Sequence, residues 1–223
     1  MKKLIFFDNT VEVFIFDESD FIKPDSPALS SIVSNLSFEE QDKFYRYKNI
    51  SAQYQYLTAH YYLRQILSKK LGEKPNQIKI GTHESGKPFL LTHPTLKFNI
   101  SHTKNMVLAA FSDFQVGVDV EQEERSSDML QILKHFFSEK EVESFLQQPE
   151  KDRNKAFYTG WTRKEAILKA TGEGLSALKT NEVSFDPNAK NAIISDSSEN
   201  KIMLADFTPA AGYCGCVVKL LQK

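Results

Sequence analysis

The hydrophobic period of this chain switches back and forth along its length, and that alternation limits the folds open to it. A period of two marks strands, and a period near 3.6 marks helices with one buried face. Residues 3–16, "KLIFFDNTVEVFIF", read as two strands about a turn at Asp8-Asn9. "LSFEEQDKFYRYKN" opens on a capping box, Ser37 followed three residues later by Glu40, and predicts a helix over 38–48. "SAQYQYLTAHYYLRQILSKKLG" predicts a longer helix over 51–70, stopped by Gly72, with Tyr54, Leu57, Tyr61 and Leu67 as core. Short strands follow: "IKIGT", "PFLLT", "LKFNIS", "MVLAAFS" and "VGVDVE". "SSDMLQILKHF", "SEKEVESFLQQ" and "DRNKAFYTGWTRKEAILKAT" return to helix; Ser138 with Glu141 caps the second, and Gly172 or Gly174 ends the third. "EVSFD", "AIISD", "KIMLADF" and "GYCGCVVKLL" are strands again, around a polar loop "SDSSENK". The order predicts an α+β fold of two halves of similar make-up, residues 1–113 and 114–223.

Such a fold needs a core, and 223 residues that are 41% hydrophobic supply one without disulfide staples. Cys214 and Cys216 fall on one strand face, a poor arrangement for pairing with each other. Two thiols alone do not make a zinc site, so they read as buried side chains of a reduced, cytoplasmic protein. Asp8 ends the first apolar run too early for a signal peptide, whose apolar region spans about 7–15 residues. No stretch approaches the roughly 18 apolar residues of a membrane span, and no membrane partner is expected. The net charge of −1 offers no broad basic field for nucleic acid. Phosphate recognition would have to come from a local cluster of Lys, Arg and His.

Three stretches carry chemistry. In "VGVDVE" the valines face one way and Gly117, Asp119 and Glu121 the other. Alternate strand positions are about 6.5–7 Å apart, close enough for two carboxylates to share a cation. On the hexapeptide alone, a plain half-buried strand with a wet polar face is the simpler reading. In "FYTGWTRKEAILKAT", Phe157, Trp161 and Leu168 form an apolar stripe, with Glu165 and Lys169 as neighbours beside it. That spacing also fits a simple surface ion pair. Lys164 falls close to the stripe, where its charge must snorkel out or meet an anion. In "SGKPFLLTHPTLKFNISHT", Gly86-Lys87-Pro88 is a turn, and Ser101-His102-Thr103 closes a strand with donors suited to phosphate. A hairpin with a polar tip is the alternative.

"GKPFL", "FNISH", "VGVDVE", "FFSEKE" and "WTRKEAILKATGEGL", in this order and spacing, resemble the 4′-phosphopantetheinyl transferases. More narrowly, they resemble the larger single-chain type that activates surfactin synthetase. The resemblance spans roughly residues 36–178 and implies a two-half pseudodimer with its active site between the halves. It implies transfer of the phosphopantetheine arm of coenzyme A to a serine of an apo acyl or peptidyl carrier protein, releasing adenosine 3′,5′-bisphosphate. The setting would be fatty-acid, polyketide or nonribosomal-peptide synthesis, and the enzyme a cytoplasmic monomer. By this match Asp119, Glu121 and Glu165 hold Mg²⁺, with Mn²⁺ as an alternative. Lys169 and Lys164 meet the pyrophosphate, Ser101 and His102 bind phosphate, and Gly86, Lys87 and Pro88 hold the adenine and its neighbouring phosphate. Lys43 and Arg46 match basic residues at the 3′-phosphate. A further polar position there falls on Tyr56, a departure from the pattern. Glu141 matches a general base for the carrier serine, and it fits a helix cap as well. Trp161 reads as structural. Met129, Leu130 and Leu133 are expected on a carrier-facing surface. A silent binder on the same fold would have lost one of the three acids, and none is missing. Another Mg²⁺-dependent nucleotide enzyme would carry a Walker-type loop, and there is none.

Overall fold

A computed structural model describes residues 1–124, 128–174, 179, 182–186, 191–195 and 201–221. The N-terminal strands β1 (Lys2–Phe6) and β2 (Val11–Asp17) pair antiparallel around a turn with positive φ at Phe7, Asp8 and Asn9. Three helices follow: α1 (Leu29–Val33), α2 (Phe38–Arg46) and α3 (Ile50–Leu71). The Ser37–Glu40 capping box is present, and α2 stops two residues short of the sequence expectation, at Arg46. The short α1 carries no side-chain cap and gave no sequence signal. β3 (Ile80–Thr82) and β4 (Pro88–Leu90) make a small hairpin. β5 (Lys97–Thr103) and β6 (Met106–Ser112) complete a four-stranded sheet in the order β1-β2-β6-β5.

The chain then repeats the plan. β7 (Val116–Gln122) is followed by α4 (Met129–Phe136), α5 (Glu139–Leu146) and the long α6 (Arg153–Thr171). β8 (Asn191–Ser195), β9 (Lys201–Phe207) and β10 (Tyr213–Leu221) close a second antiparallel sheet in the order β7-β10-β9-β8. This is the α+β fold of two similar halves that the hydrophobic pattern predicts. Residues 126–127 of the expected helix "SSDMLQILKHF" and the 196–200 part of the polar loop lie outside the described residues. "EVSFD" is not a strand. Its backbone groups go to side chains instead: Val183 N–H donates to Glu141 Oε1 (2.8 Å), and the Ser184 carbonyl accepts from Arg163 Nη1 (2.6 Å). No helix among the described residues is long and apolar enough to cross a membrane.

Each long helix packs on its own sheet. Leu63 and Leu67 of α3 meet Phe16, Phe98 and Phe111. Ala166, Ile167 and Ala170 of α6 meet Ile202, Leu204, Cys216 and Val218. A third cluster joins the halves: Val11, Val13 and Leu108 of the first sheet with Val116, Val118, Val120 and Val217 of the second. Cys214 and Cys216 are free, buried thiols. Leu57 and Leu67 are fully buried as expected, and Tyr54 and Tyr61 are partly so.

Candidate active site

The sheets meet where the edge strands β5 and β7 run side by side. β5 side chains, not a backbone ladder, make the connection. Val118 N–H donates to Asn99 Oδ1 (2.9 Å), Ser101 Oγ to Asp119 Oδ1 (2.8 Å), and Thr103 Oγ1 to Glu121 Oε2 (3.2 Å). Alternation on both strands sets this pairing, since 99, 101 and 103 share one face as 119 and 121 share another. Across from them α6 presents Glu165 and Lys169, four residues apart on one flank. Lys169 Nζ donates to Asp119 Oδ1 (2.6 Å) and to Ser101 Oγ (3.0 Å). Lys169 is thus brought to Asp119 and Ser101 across 50 and 68 positions of sequence.

The acids crowd one another. Burial, and then the charge of Asp119, push Glu121 up to about 7, against the pull of Thr103 and Lys169. Burial raises Glu165 as well, with Lys169 opposing and Asp119 adding. Among the described residues, no three carboxylate, imidazole or thiolate groups already enclose a metal-sized point. The donor chemistry nevertheless fits a hard divalent cation. Asp119 is almost wholly buried, and its Oδ2 has no hydrogen-bond partner among the described residues. A cation shared by these oxygens would relieve both the orphaned atom and the repulsion.

A cleft of about 530 Å³ opens beside this cluster and takes its lining from both halves. Gly86, Lys87 and Pro88 line it, together with Lys43 and His60 of the helices α2 and α3 and Glu165, Leu168 and Lys169 of α6. The Gly86 turn is closed by His83 N–H to the Lys87 carbonyl (2.9 Å). Lys87 Nζ crosses to the last turn of α6 and donates to the Ala170 carbonyl (2.7 Å) and to Gln115 Oε1 (3.0 Å). Burial lowers its ammonium to about 8, with Lys97 adding to the shift. His102 is solvent-exposed on β5, yet surrounding protein, and then the charges of Lys169 and His60, hold its imidazole below the ordinary value.

Four expectations are corrected. Arg46 does not line the cleft; it is exposed and ion-paired with Asp42 one helical turn back (2.9 Å). Lys164 neither snorkels nor reaches the cleft. Its Nζ is fully buried, donates to Glu141 Oε1 (2.5 Å) and lies 4.8 Å from the Phe137 ring centre. Glu141 is 2% exposed. Its Oε2 accepts from Ser138 N–H in the capping box, and its Oε1 serves both Lys164 and Val183 N–H. Both side chains are spent on docking α5 against α6, so this geometry does not present Glu141 as a base or Lys164 as a phosphate contact. Leu133, expected on a carrier-facing surface, is buried in the core; Leu130 is exposed and Met129 half-buried. Trp161 packs on Phe136, Phe137 and Phe157.

Sequence reasoning missed His60 and Asn99. The signal for His60 was its place one turn from both Tyr56 and Arg64 on α3. For Asn99 it was the alternation of 99 with 101 and 103.

A family model described as the 4′-phosphopantetheinyl transferase superfamily matches residues 115–214, and one described as 4′-phosphopantetheinyl transferase, N-terminal, matches 22–113. HetI of Nostoc sp., a 4′-phosphopantetheinyl transferase, is 33% identical over 163 residues, covering 71% of this chain and 69% of the relative. Sfp of Bacillus subtilis, likewise named, is 31% identical over 144 residues, 65% of this chain and 63% of the relative. The gsp transferase of Aneurinibacillus migulanus is 29% identical over 195 residues, 86% and 80%.

Proposed function

This chain belongs to the 4′-phosphopantetheinyl transferase superfamily and is a transferase of the Sfp-like type, and on that premise we propose that it moves the 4′-phosphopantetheine arm of coenzyme A onto a serine of an apo acyl or peptidyl carrier protein. The halves are residues 1–113 and 114–223, with the reaction in the cleft between them. The serine oxygen bonds to the phosphorus that carries the pantetheine. The diphosphate P–O bond breaks, the serine proton is taken up by a base or solvent, and adenosine 3′,5′-bisphosphate leaves.

The observation that carries this reading is the clasp of Lys169 on Asp119 and Ser101, beside Glu121 and Glu165, on the wall of a cleft built by both halves. Asp119, Glu121 and Glu165 would hold Mg²⁺ or Mn²⁺, which supplies charge neutralisation on the diphosphate. Lys169 offers its ammonium to the diphosphate as charge builds on the leaving oxygen. Ser101 and His102 bind phosphate, and Gly86, Lys87 and Pro88 hold the adenine end. Lys43 meets the 3′-phosphate. Glu141 and Lys164 hold α6, and with it Glu165 and Lys169, at the right height. We assign the protein to the cytoplasm as a monomer, its fatty-acid, polyketide or nonribosomal-peptide carrier set by surface residues around Leu130.

The test is incubation with coenzyme A, Mg²⁺ and a panel of apo-carriers, read by intact mass. A carrier that gains one phosphopantetheine supports the reading; a panel left untouched at every Mg²⁺ concentration refutes it. Asp119→Ala should abolish the Mg²⁺-dependent gain and keep its far-UV circular dichroism. A wild-type rate in that variant would remove Asp119 from the metal set.

A further inference from the structure

The resemblance implies three donors at the 3′-phosphate, of which this sequence keeps two, Lys43 and Arg46, and carries Tyr56 in place of the third. Of these, Lys43 lines the cleft. Arg46 lies on Asp42, and position 56 is a buried tyrosine. His60, one turn beyond Tyr56, takes a place in the lining beside Lys43. Its ring rests on Tyr56, with centroids 4.1 Å apart, and Lys43 Nζ stands 5.0 Å from the same tyrosine ring. The imidazole Nδ1 lies 2.9 Å from Glu40 Oε1. Glu40 is fixed in turn: its Oε2 accepts from Ser37 N–H (3.0 Å) and from Arg64 Nε. Arg64 is buried and anchored on the Pro75 and Ile78 carbonyls. The result is a relay from rigid backbone through Arg64 and Glu40 to an imidazole on the cleft wall. With Nδ1–H directed at Glu40, Nε2 is the remaining polar atom of the ring.

We propose that His60 is a specificity-determining contact for the phosphate monoester of the nucleotide, and that Glu40 is its positioning residue. This rests on the reading that coenzyme A occupies the cleft. The titratable and charged groups around His60 are Glu40 and Lys43 from α2, Arg64 one turn on along α3, and His102 from β5. In its doubly protonated form the ring donates from both nitrogens: Nδ1–H to Glu40 and Nε2–H to an oxygen of the monoester. The stack on Tyr56 and the bond to Glu40 hold the ring in place before the phosphate arrives, so little side-chain freedom is lost on binding.

The experiment is calorimetric titration of wild type, His60→Ala and His60→Gln with coenzyme A and with 3′-dephospho-coenzyme A. Wild type should prefer coenzyme A. His60→Ala should lose about tenfold for coenzyme A, the change expected from one charge-assisted hydrogen bond, and stay unchanged for the dephospho compound. His60→Gln keeps a donor without the charge and should fall between; it carries the test if the alanine variant does not fold. Equal losses for both ligands, or no loss for either, would overturn the assignment of His60 alone. A wild type that takes up neither ligand would overturn the reading of the cleft and this proposal with it.

Discussion

Gly117→Ala tests how the active site is assembled. Gly117 is where β7 and α6 come closest, and a Cβ built there stands 2.0 Å from the Ala166 carbonyl oxygen and 2.5 Å from Ala170 N. Ordinary contact begins at 3.4 Å, so one methyl group demands a shift of roughly 1.4 Å. The obstructing atoms are helix backbone, which cannot turn aside as a side chain would. Nor can α6 retreat freely, because Ala166, Ile167 and Ala170 are packed in the core of the second half. Overpacking a core costs about 1–3 kcal/mol, and the backbone clash puts this variant at about 3 kcal/mol. The functional loss should exceed the loss of stability. Glu165 and Lys169 flank Ala166 and Ala170 in sequence, and Lys169 reaches Asp119 at 2.6 Å only at the present spacing. A misplacement of about 1 Å can cost about 100-fold in rate. Urea unfolding followed by the fluorescence of the single tryptophan, Trp161, gives the first quantity, and carrier modification by intact mass the second. Gly215→Ala is the control, since its Cβ would meet ring atoms of Phe207 at 2.9 Å, and a ring edge can yield. A Gly117→Ala protein with wild-type stability and rate, or one less damaged than Gly215→Ala, would refute the reasoning.

Glu141→Gln should destabilise by about 3–5 kcal/mol, because it removes the carboxylate paired with the buried Lys164 ammonium; adding Lys164→Met should recover most of that, and additive losses in urea unfolding would contradict the pairing. Glu40 is held down to about 2 from an ordinary 4.5: burial alone would raise it, and the bonds and charges of His60 and Arg64 outweigh burial. A carboxylate lowered in the folded state stabilises above its ordinary value, and here about 3 kcal/mol is lost as pH falls from about 5 towards 2. Urea midpoints between pH 6 and 3 should therefore fall more steeply for wild type than for Glu40→Gln, and parallel curves would count against it. Lys169→Ala should weaken coenzyme A binding by calorimetry more than carrier binding, and equal losses would indicate general unfolding instead.

The periodicity was enough to read the two halves because most elements bury one face against their own sheet. It failed where backbone groups bond to side chains. "EVSFD" has strand composition, yet its Val183 N–H goes to Glu141 and its Ser184 carbonyl to Arg163 rather than to a strand neighbour. Lys164 shows the same limit. Its place near the apolar stripe rightly signalled an anion, but the partner is Glu141, 23 residues away on another helix, not a bound phosphate. Helical spacing cannot say which carboxylate a lysine will meet once helices pack. Arg46 failed differently: Asp42, one turn back, offered it a nearer partner than the cleft. The acids of "VGVDVE" were legible because strand alternation alone puts Asp119 and Glu121 on one face. That His60 would face Lys43 depends on how α2 docks against α3, which no local pattern encodes.

The seam explains why the site lies where it does. Two antiparallel sheets meeting at open edges would ordinarily extend their backbone ladder. Asn99, Ser101 and Thr103 intervene, bonding to Val118 N–H, Asp119 and Glu121. This side-chain seam holds the edge strands beside each other and fills the space between them with polar atoms. It also leaves Asp119 Oδ2 buried without a partner among the described residues, which costs about 1–3 kcal/mol. Lys169 satisfies only the other oxygen. A fold under selection for stability alone would have valine or threonine at this position, as at Val116, Val118 and Val120 on the same strand. The cost persists beside a cleft walled by both halves, where an added cation would remove it. Thermal melts with and without Mg²⁺ should therefore show stabilisation of wild type that Asp119→Asn largely loses, and equal stabilisation of both would place the cation elsewhere.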